Sequence, residues 1–292
     1  MQKHIFGGSW TKTKLEVLRK YLEAYTKILS KKQYKYAYID AFAGTGSIEE
    51  DTDYRELKKL FPEDSEFYGK SSIAGSAQIA LGVLPPFQKY IFVESKKDHV
   101  HELRKLRDKY PEYEIEIINA DANDYLVDLC ENRKWNNHRA VLFLDPYGMQ
   151  VQWKTYEAIA QTKAIDLWIL FPLGIAINRL LKKDGKIDKV NKKKLDEIFG
   201  TTAWYEKFYQ KRNSKTLFGS EDEMEKQIGF DKISEFFIER LKGTFPYVVD
   251  IPKSLYNSKN NPIFILCFAA SNPSAGKLAT KIANDILNKV NL

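Results

Sequence analysis

Five short apolar segments alternate with helix-length segments between residues 34 and 172, and this alternation constrains the fold more than any other feature. The apolar segments span residues 34–40, 89–94, 115–121, 140–147 and 165–172. They are apolar along most of their length, which is typical of parallel strands covered on both faces. Apolar residues at helical spacing predict helices at about 12–30, 75–81, 97–109 and 122–133. The sequence therefore predicts an α/β fold with a Rossmann-like, doubly wound, mostly parallel sheet.

The C-terminal part of the chain departs from this alternation. Two apolar segments, 247–251 and 263–268, follow one another without a helix between them. They predict antiparallel strands that pair as a hairpin and close the edge of the sheet. A last helix is expected from about Ser274.

The positive charge is concentrated in one segment. The 292 residues contain 46 Lys and Arg against 39 Asp and Glu, and residues 179–215 hold 12 of the former and 5 of the latter. The rest of the chain is balanced with 34 of each, so this segment supplies the whole excess of +7. We therefore expect a basic, mainly helical insertion or lobe at 179–243, and a Rossmann-like core formed by 1–178 and 244–292.

A concentrated basic segment favours a polyanionic partner, and nucleic acid fits best. Aromatic residues lie between the lysines, and two interpretations stay open for them: they stack on bases, or they form the core of the insertion. The helical spacing of Phe199, Trp204 and Phe208 favours the core. The residues expected to contact nucleic acid are Lys182, Lys183, Lys186, Lys192, Lys193, Lys194, Lys211 and Arg212.

Other classes of protein are disfavoured by what the sequence lacks. Cys130 and Cys267 are far apart and the four histidines show no ligand spacing, so we expect neither a metal site nor a disulfide framework. The N-terminus lacks the apolar core of a signal peptide. No apolar run approaches the ~20 residues needed to span a bilayer. We expect a cytoplasmic protein without a membrane partner.

Four of the predicted strands end in an acidic residue. Ligands of doubly wound sheets bind at the carboxyl ends of the strands, so these side chains are expected to meet at one edge. Carboxylates crowded along an edge repel each other, and a ligand rich in hydroxyls and amines would use them as acceptors. The four residues are Asp40, Glu94, Asp121 and Asp145.

The first strand runs into a glycine turn, Asp40-Ala-Phe-Ala-Gly44-Thr-Gly46. Glycines let the backbone pass close to a ligand. The dinucleotide fingerprint Gly-x-Gly-x-x-Gly fails because the third position is Glu49, and no lysine follows as in a P-loop. The turn therefore disfavours a pyrophosphate and favours a nucleoside that carries an amino acid. A polar stretch over 47–72 follows and predicts a long loop.

The fourth strand ends in Asp145-Pro146-Tyr147-Gly148. An acid and a proline carbonyl at a strand end can accept hydrogen bonds from an exocyclic amine, while an aromatic ring stacks on the base. The competing interpretation is an ordinary strand-to-helix turn, in which Asp-Pro is common. Together with the glycine turn, the segment favours a catalytic site.

The order of these motifs resembles the class I S-adenosylmethionine (SAM)-dependent methyltransferases. More narrowly, several segments resemble the three-Cys-motif partner (TcmP) family. These segments are Tyr38-Ile-Asp-Ala-Phe-Ala-Gly44, Gly75-Ser-Ala, Phe143-Leu-Asp-Pro-Tyr-Gly148, Leu170-Phe-Pro-Leu173 and Phe268-Ala-Ala-Ser. The resemblance covers most of residues 10–175 and the C-terminal part, but not the insertion. The long loop followed by Gly75-Ser76 also resembles a ribosomal-RNA adenine-N6 methyltransferase family.

This resemblance implies SAM as the cofactor and a role for each motif residue toward its amino-acid part. Asp40 would accept from the ammonium group, and the glycine turn would pass beneath this part of the cofactor. Ser76 would bind the carboxylate through its hydroxyl and backbone N–H. Lys14 would neutralise the carboxylate, and the alternative, a solvated lysine on a helix, stays open and is favoured. The residues implied here are Lys14, Asp40, Phe42, Gly44, Gly46 and Ser76.

The resemblance also implies roles toward the nucleoside and the reaction. Glu94 would take the ribose hydroxyls, and Asp121 with the Ala122 N–H would read the adenine edge. The acid of the Asp-Pro-Tyr segment would face the methyl donor. The implied catalytic residues are Asp145, Pro146 and Tyr147.

The sequence thus predicts a SAM-dependent methyltransferase that acts on a nucleic-acid base, with RNA favoured over DNA. Two alternatives stay open. Amino-directed methyltransferases usually carry Asp-Pro-Pro-Tyr, whereas this chain has a single proline before Tyr147. That difference favours a non-catalytic or partner-dependent SAM-binding subunit of a two-component system, with a partner protein. A nicotinamide-dependent oxidoreductase is the second alternative, which the failed dinucleotide fingerprint disfavours.

Overall fold

The computed structural model describes residues 9–48, 73–216, 219–257 and 259–290. Within these ranges, an eight-stranded sheet forms the centre of the protein. Its parallel strands are β1 (Lys35–Asp40), β4 (Lys89–Glu94), β5 (Ile115–Asn119), β6 (His138–Leu144) and β7 (Ile165–Phe171). They lie in the order β5–β4–β1–β6–β7. Numbered along the chain, this is the 3-2-1-4-5 order of a Rossmann-like sheet. The predicted fold class is confirmed.

Antiparallel strands complete the sheet beyond β7. The long strand β12 (Pro262–Ala270) pairs with β7, and the short strands β10 (Tyr247–Val248) and β11 (Lys253–Tyr256) pair with β12. The predicted antiparallel pairing of the two C-terminal segments is therefore confirmed. The structure differs in detail, because β12 lies inside the sheet and β11 is an additional strand that the sequence did not predict.

Helices cover both faces of the sheet. One face is covered by α1 (Ser9–Leu29), α2 (Ser76–Leu81), α3 (Lys97–Arg107) and α10 (Gly276–Lys289). The other face is covered by α4 (Ala122–Asn132), α5 (Trp153–Gln161) and helices of the insertion. Among the described residues, no helix is both long and apolar enough to cross a membrane.

The core lies in two layers, one on each face of the sheet. Successive strand side chains point to opposite faces. Accordingly, Tyr38 and Trp168 are buried beneath α1, whereas Ile39 and Leu167 are buried on the side of α5. Burying one such side chain contributes about 1.5–3 kcal/mol. Because both faces are covered, both sets of positions must be apolar, and this produces the continuous apolar segments of the sequence.

The insertion leaves the sheet at the carboxyl end of β7. After a short π-helical turn (Leu173–Ile177), it contains α6 (Asn178–Leu180), α7 (Lys189–Phe199), α8 (Trp204–Phe208) and α9 (Phe230–Lys242). A hairpin of β8 (Tyr209–Thr216) and β9 (Gly219–Lys226) lies between α8 and α9. The sequence did not predict this hairpin, because its strands are polar and show no apolar alternation.

The aromatic residues of the insertion are core residues. Phe199, Trp204 and Phe208 are each at most 1% exposed, and they belong to the same apolar cluster as Trp153 on α5. Their predicted role in the core is confirmed, but α7 ends at Phe199 and α8 begins at Trp204, so only Trp204 and Phe208 share one helix. They are therefore not available to stack on bases.

Candidate functional site

Three of the predicted acids lie at the ends of neighbouring strands. Asp40 ends β1, Glu94 ends β4, and Asp145 directly follows β6. Since β1 pairs with both β4 and β6, these ends are adjacent. Asp121 lies one strand further out, after β5. The parallel topology thus brings the four sequence-predicted acids to one edge.

Asp40 is the most deeply buried of these acids, with no exposed surface. The Tyr38 hydroxyl donates to its Oδ2 at 3.2 Å, and the Phe42 N–H donates to its Oδ1 at 3.4 Å. Burial raises the pKa of Asp40 to about 7, the hydrogen bond from Ser76 opposes the rise, and the charge of Asp145 adds to it. A positively charged group bound here would favour the ionised carboxylate.

A short antiparallel pair of strands, at the two ends of the long polar stretch, brings Ser76 to Asp40. The strand β2 (Ser47–Ile48) follows the glycine turn and pairs with β3 (Ile73–Ala74), which precedes α2. This pairing carries Ser76, the first residue of α2, back to the end of β1. Residues 49–72 of the predicted loop lie outside the described part of the chain.

The glycine turn is tied to Glu94. The Gly44 N–H donates to Glu94 Oε2 at 3.0 Å, and the Lys96 N–H donates to Oε1 at 2.8 Å. His99 Nδ1 lies 3.4 Å from the same Oε2, and both side chains are buried. These contacts fix the carboxylate at the end of β4, directly beside the turn.

Gly44 and Gly46 both have positive φ, at 58° and 78°, a region that residues with a Cβ rarely adopt. Their surroundings differ. A Cβ on Gly44 would lie 3.6 Å from the Tyr147 hydroxyl, whereas a Cβ on Gly46 would lie 2.6 Å from Leu106 Cδ2. Gly44 therefore faces the site, and Gly46 permits the turn to pack against α3.

Replacing Gly46 with alanine is expected to lower the free energy of unfolding by about 1–4 kcal/mol, because the substitution combines a positive φ with a clash in the core. Urea denaturation measures the change. Gly148→Ala is the matched control, since no atom lies within 4 Å of the position that its Cβ would take and its φ is not positive. Equal stability of the two variants would contradict the packing role.

Lys14 on α1 forms a salt bridge with Asp145. The side chains are only 8% and 20% exposed, so water screens the pair weakly. The Lys14 ammonium also lies 5.1 Å from the centre of the Trp10 ring. The resemblance implies that Lys14 binds the cofactor carboxylate. In the structure its ammonium contacts Asp145, and the cofactor role stays a prediction.

Pro146 and Tyr147 continue the segment after Asp145. Pro146 is buried and Tyr147 is partly exposed. The Tyr147 N–H donates to Gln150 Oε1 at 2.9 Å, and the Lys96 ammonium lies 5.9 Å from the centre of the ring. The ring thus lies between the glycine turn and the end of β4, where it can border a bound ligand.

Asp121 is exposed and serves as the N-cap of α4. Its Oδ1 accepts from the Asn123 N–H at 2.8 Å and from the Asp124 N–H at 3.2 Å. This capping role accounts for an acid at this position without a ligand. Ala122 is the buried first residue of α4. Both residues lie at the edge where the resemblance puts the adenine, and that role stays a prediction.

Sequence reasoning missed residues that hold these acids in place. Tyr38 is two positions before Asp40, on the same face of β1, and this spacing is a signal that could have identified it. His99 contacts Glu94 from α3, whose rotation only the tertiary structure sets, whereas Gln150 accepts from the Tyr147 N–H within the loop that follows β6. In the described ranges, no group of three His, Cys, Asp or Glu side chains could hold a metal ion.

The predicted nucleic-acid contacts lie on the insertion. Their backbone is described in every case, but the side chains of 211–223, which include Lys211 and Arg212, lie outside the described part. The other six are exposed: Lys182, Lys183, Lys186, Lys192, Lys193 and Lys194. Lys192 lies 5.2 Å from the centre of the Tyr205 ring. These six lysines thus lie exposed in the segment that follows β7, and their contact with nucleic acid stays a prediction.

No protein-family model matches the chain, and neither does any curated protein. Among solved structures, it is similar to protein LPL1258 from Legionella pneumophila str. Philadelphia 1, of family model DUF519, with a TM-score of 0.50, 12% identity, and coverage of 94% of this chain and 92% of that one. It is also similar to a SAM-dependent methyltransferase from Clostridium acetobutylicum ATCC 824 (TM-score 0.35, 10% identity, coverage 86% and 90%). A third is the plantazolicin methyltransferase BpumL in complex with SAH (TM-score 0.32, 9% identity, coverage 90% and 85%). At these identities the similarity concerns the fold alone.

Proposed function

We propose that this protein is a SAM-dependent methyltransferase that modifies a base of a nucleic acid, with RNA as the favoured substrate. The observation that carries the proposal is the group of Asp40, Glu94 and Asp145 around the glycine turn, at the carboxyl edge of a Rossmann-like sheet. This is the edge at which such sheets bind ligands. The resemblance of the motifs to the class I methyltransferases and to the TcmP family supports the same function.

The chemistry of the acceptors fits SAM. The described partners of the buried Asp40 carboxyl are hydroxyl and amide groups, so an ammonium group would supply the missing positive charge. Glu94 is held by the Gly44 N–H on Oε2 and by the Lys96 N–H and the Ser95 hydroxyl on Oε1, and a ribose hydroxyl would donate to the same carboxylate in place of the long 3.4 Å bond from Ser95. Asp121 and the Ala122 N–H would bind the adenine, and Phe42, Gly44 and Ser76 would border the amino-acid part.

SAM supplies a methyl group on a positively charged sulfur, and the protein must align a nucleophile with it. Asp145 and the Pro146 carbonyl would accept from the target amine and point its lone pair at the methyl group, while Tyr147 would stack on the base. The salt bridge with Lys14 fixes the Asp145 carboxylate. Asp145 therefore orients the amine and is not required to remove a proton first, because an exocyclic amine loses its proton only after attack.

The basic insertion supports a nucleic-acid substrate. It begins at the carboxyl end of β7, which is the edge of the proposed methyl-transfer site. Its exposed lysines would bind phosphates on either side of the target base. We propose that residues 179–243 act as the substrate-binding part and that 1–178 with 244–292 form the catalytic core.

A partner-dependent or non-catalytic SAM-binding subunit is the second candidate. The single proline of Asp145-Pro146-Tyr147 favours it, since the ring stands one residue closer to the acid than in Asp-Pro-Pro-Tyr. A partner protein would then complete the site. The resemblance to the TcmP family, whose name refers to a partner, supports the same candidate.

Transfer of a labelled methyl group from SAM into bulk RNA, DNA and protein tests the proposal. We expect label in the RNA fraction. Label confined to protein would contradict a nucleic-acid substrate. Measurable SAM binding without any label would favour the partner-dependent subunit over the enzyme.

Removing the charge of three lysines on α7 is expected to weaken RNA binding without affecting SAM binding. The triple variant Lys192→Gln, Lys193→Gln, Lys194→Gln should reduce the slope of log affinity against log salt by about 2 if each lysine binds one phosphate of a single strand. Fluorescence anisotropy with labelled RNA at several salt concentrations measures this slope. The matched control removes three exposed lysines from α10: Lys277→Gln, Lys281→Gln and Lys289→Gln. An equal loss in both variants would contradict a specific surface.

A further inference from the structure

A cavity with a volume of ≈ 400 Å³ opens at the other end of the strands, where β6 and β7 begin. The helices α1 and α10 form its walls, and the first residues of β6 and β7 form its floor. Arg139 at the start of β6 lines it, whereas Asp145 follows the end of the same strand. Six residues of extended chain separate the two by about 20 Å. The cavity is therefore distinct from the proposed methyl-transfer site.

A buried carboxyl lies on the floor of this cavity. Asp166 is 8% exposed, and its Oδ2 accepts from the Tyr21 hydroxyl at 2.7 Å. Tyr21 is the hydrogen-bond partner that the described structure gives this side chain. Burial raises the pKa of Asp166 to about 6, and the Tyr21 hydrogen bond and the charge of Arg139 oppose the rise. At neutral pH an ionised acceptor thus lies in an otherwise apolar strand.

Aromatic and aliphatic side chains surround this carboxyl. Tyr25 lines the cavity, and the charge of Asp166 acts on its hydroxyl, which has no hydrogen-bond partner among the described residues. Ile28, Leu29 and Ile282 supply apolar walls on either side. A flat ring with a donor group fits such walls, because the ring buries apolar surface and the donor reaches the acid.

Two cationic side chains also line the cavity. Lys32 is exposed and has no ion pair within the described part of the chain. Arg139 stacks on the Tyr34 ring at 4.0 Å, and one of its guanidinium nitrogens donates to the carbonyls of Trp135, Asn136 and His138, so its other nitrogens would bind the anion. α10 contributes no ionisable side chain to the lining. Two cations disfavour a ligand that carries only positive charge, and Asp166 disfavours one that carries only negative charge. The lining suits a ligand with a neutral hydrogen-bond donor at one end and an anion at the other.

We propose that this cavity binds a nucleoside monophosphate, with its base against Tyr25, an amine of the base donating to Asp166, and its phosphate bound by Lys32 and Arg139. The class follows from the three requirements of the lining: a flat ring, a donor and an anion. The proposal does not depend on methyl transfer at the opposite end of the strands.

Isothermal titration of AMP, GMP, CMP and UMP into the full chain tests the site, with excess SAH present to fill the nucleoside pocket of the proposed methyl-transfer site. We expect at least one of the nucleotides whose base carries an amine to bind with a Kd below about 1 mM. Asp166→Asn should weaken binding at least about tenfold, the loss expected when a charged hydrogen bond is removed. Lys32→Gln should weaken binding of the nucleotide but leave the affinity for the corresponding nucleoside unchanged.

Two control variants change residues near the cavity that do not line it. Asp285→Asn on α10 and Lys31→Gln beside Lys32 alter exposed residues outside the cavity and should leave the affinity unchanged. Failure of all four nucleotides to bind at about 5 mM would overturn the proposal. Equal binding by wild type and both cavity variants would overturn it too. If Asp166→Asn does not fold, the surface variant Lys32→Gln decides. Titration of SAH in the same variants reports separately on the methyl-transfer site.

Discussion

Replacing Asp145 with alanine is expected to abolish methyl transfer, with kcat falling at least about 10²–10³-fold, while the affinity for SAM changes less than about threefold. The physical reason is that Asp145 lies beside the glycine turn but holds the nucleophile in the proposed mechanism, not the cofactor. Labelled methyl transfer measures the rate, and calorimetric titration of SAM measures the affinity.

The salt bridge with Lys14 requires a second variant. Asp145→Ala leaves a buried ammonium without its partner, which costs about 3–5 kcal/mol when such a pair is broken. A loss of folded protein would imitate a loss of catalysis. Asp145→Leu keeps the size and shape of the side chain but has no acceptor oxygen, and adding Lys14→Met removes the unpaired charge. We expect the double variant to recover much of the stability and none of the activity.

Asp124→Ala is the control for this experiment. Asp124 is exposed on the first turn of α4, at the same edge of the sheet, and we assign it no role in the reaction. It should retain full activity. More than a tenth of the wild-type activity in both Asp145 variants would refute the catalytic role. A parallel loss of SAM affinity would instead assign Asp145 to the cofactor.

Replacing Asp40 with asparagine is expected to strengthen folding and weaken SAM binding. Burial raises the pKa of Asp40 from 3.8 to about 7, so the folded protein binds this proton more tightly than the unfolded chain. The ionised carboxylate therefore destabilises the fold, and stability falls as the pH rises from about 4 to about 7. At pH 8 the shift corresponds to a penalty of about 4 kcal/mol, which the asparagine variant avoids.

Urea denaturation at pH 5 and pH 8 measures this effect. The stability gain of Asp40→Asn should be largest at pH 8 and less than about half as large at pH 5, because the folded wild type is mostly protonated there. The affinity for SAM should fall at least about tenfold, since an amide cannot neutralise an ammonium group. Asp285→Asn, on an exposed position of α10, should change neither quantity. A variant that is less stable at pH 8 would refute the buried charge.

Some residues of the candidate site could be predicted from the sequence, and others could not. Asp40, Glu94 and Asp145 could be predicted because each ends an apolar strand, and parallel strands end at one edge. The partner of Asp145 could not. Lys14 is 131 positions away, and its contact depends on how α1 is rotated over the sheet. The same holds for Ser76, which reaches Asp40 only because β2 and β3 pair.

In the insertion, the buried aromatic residues could be predicted from the sequence, but the hairpin could not. The burial of Phe199, Trp204 and Phe208 could be predicted from their spacing, although only Trp204 and Phe208 lie on the same helix. The β8–β9 hairpin was missed because its backbone pairing is not accompanied by an apolar pattern. The two strands pair through backbone hydrogen bonds, and their polar and charged side chains show no pattern that predicts this pairing.

The parallel sheet, its two covered faces and the acidic edge could be predicted from the residues alone, because they follow from local periodicity and from the shared direction of the strands. Which side chains meet across the chain depends on how the elements pack. Tyr21 and Asp166 are 145 positions apart, and their hydrogen bond at the floor of the cavity beside Arg139 exists because α1 packs over the start of β7. Such contacts depend on the rotation and offset of packed elements, which no local pattern encodes.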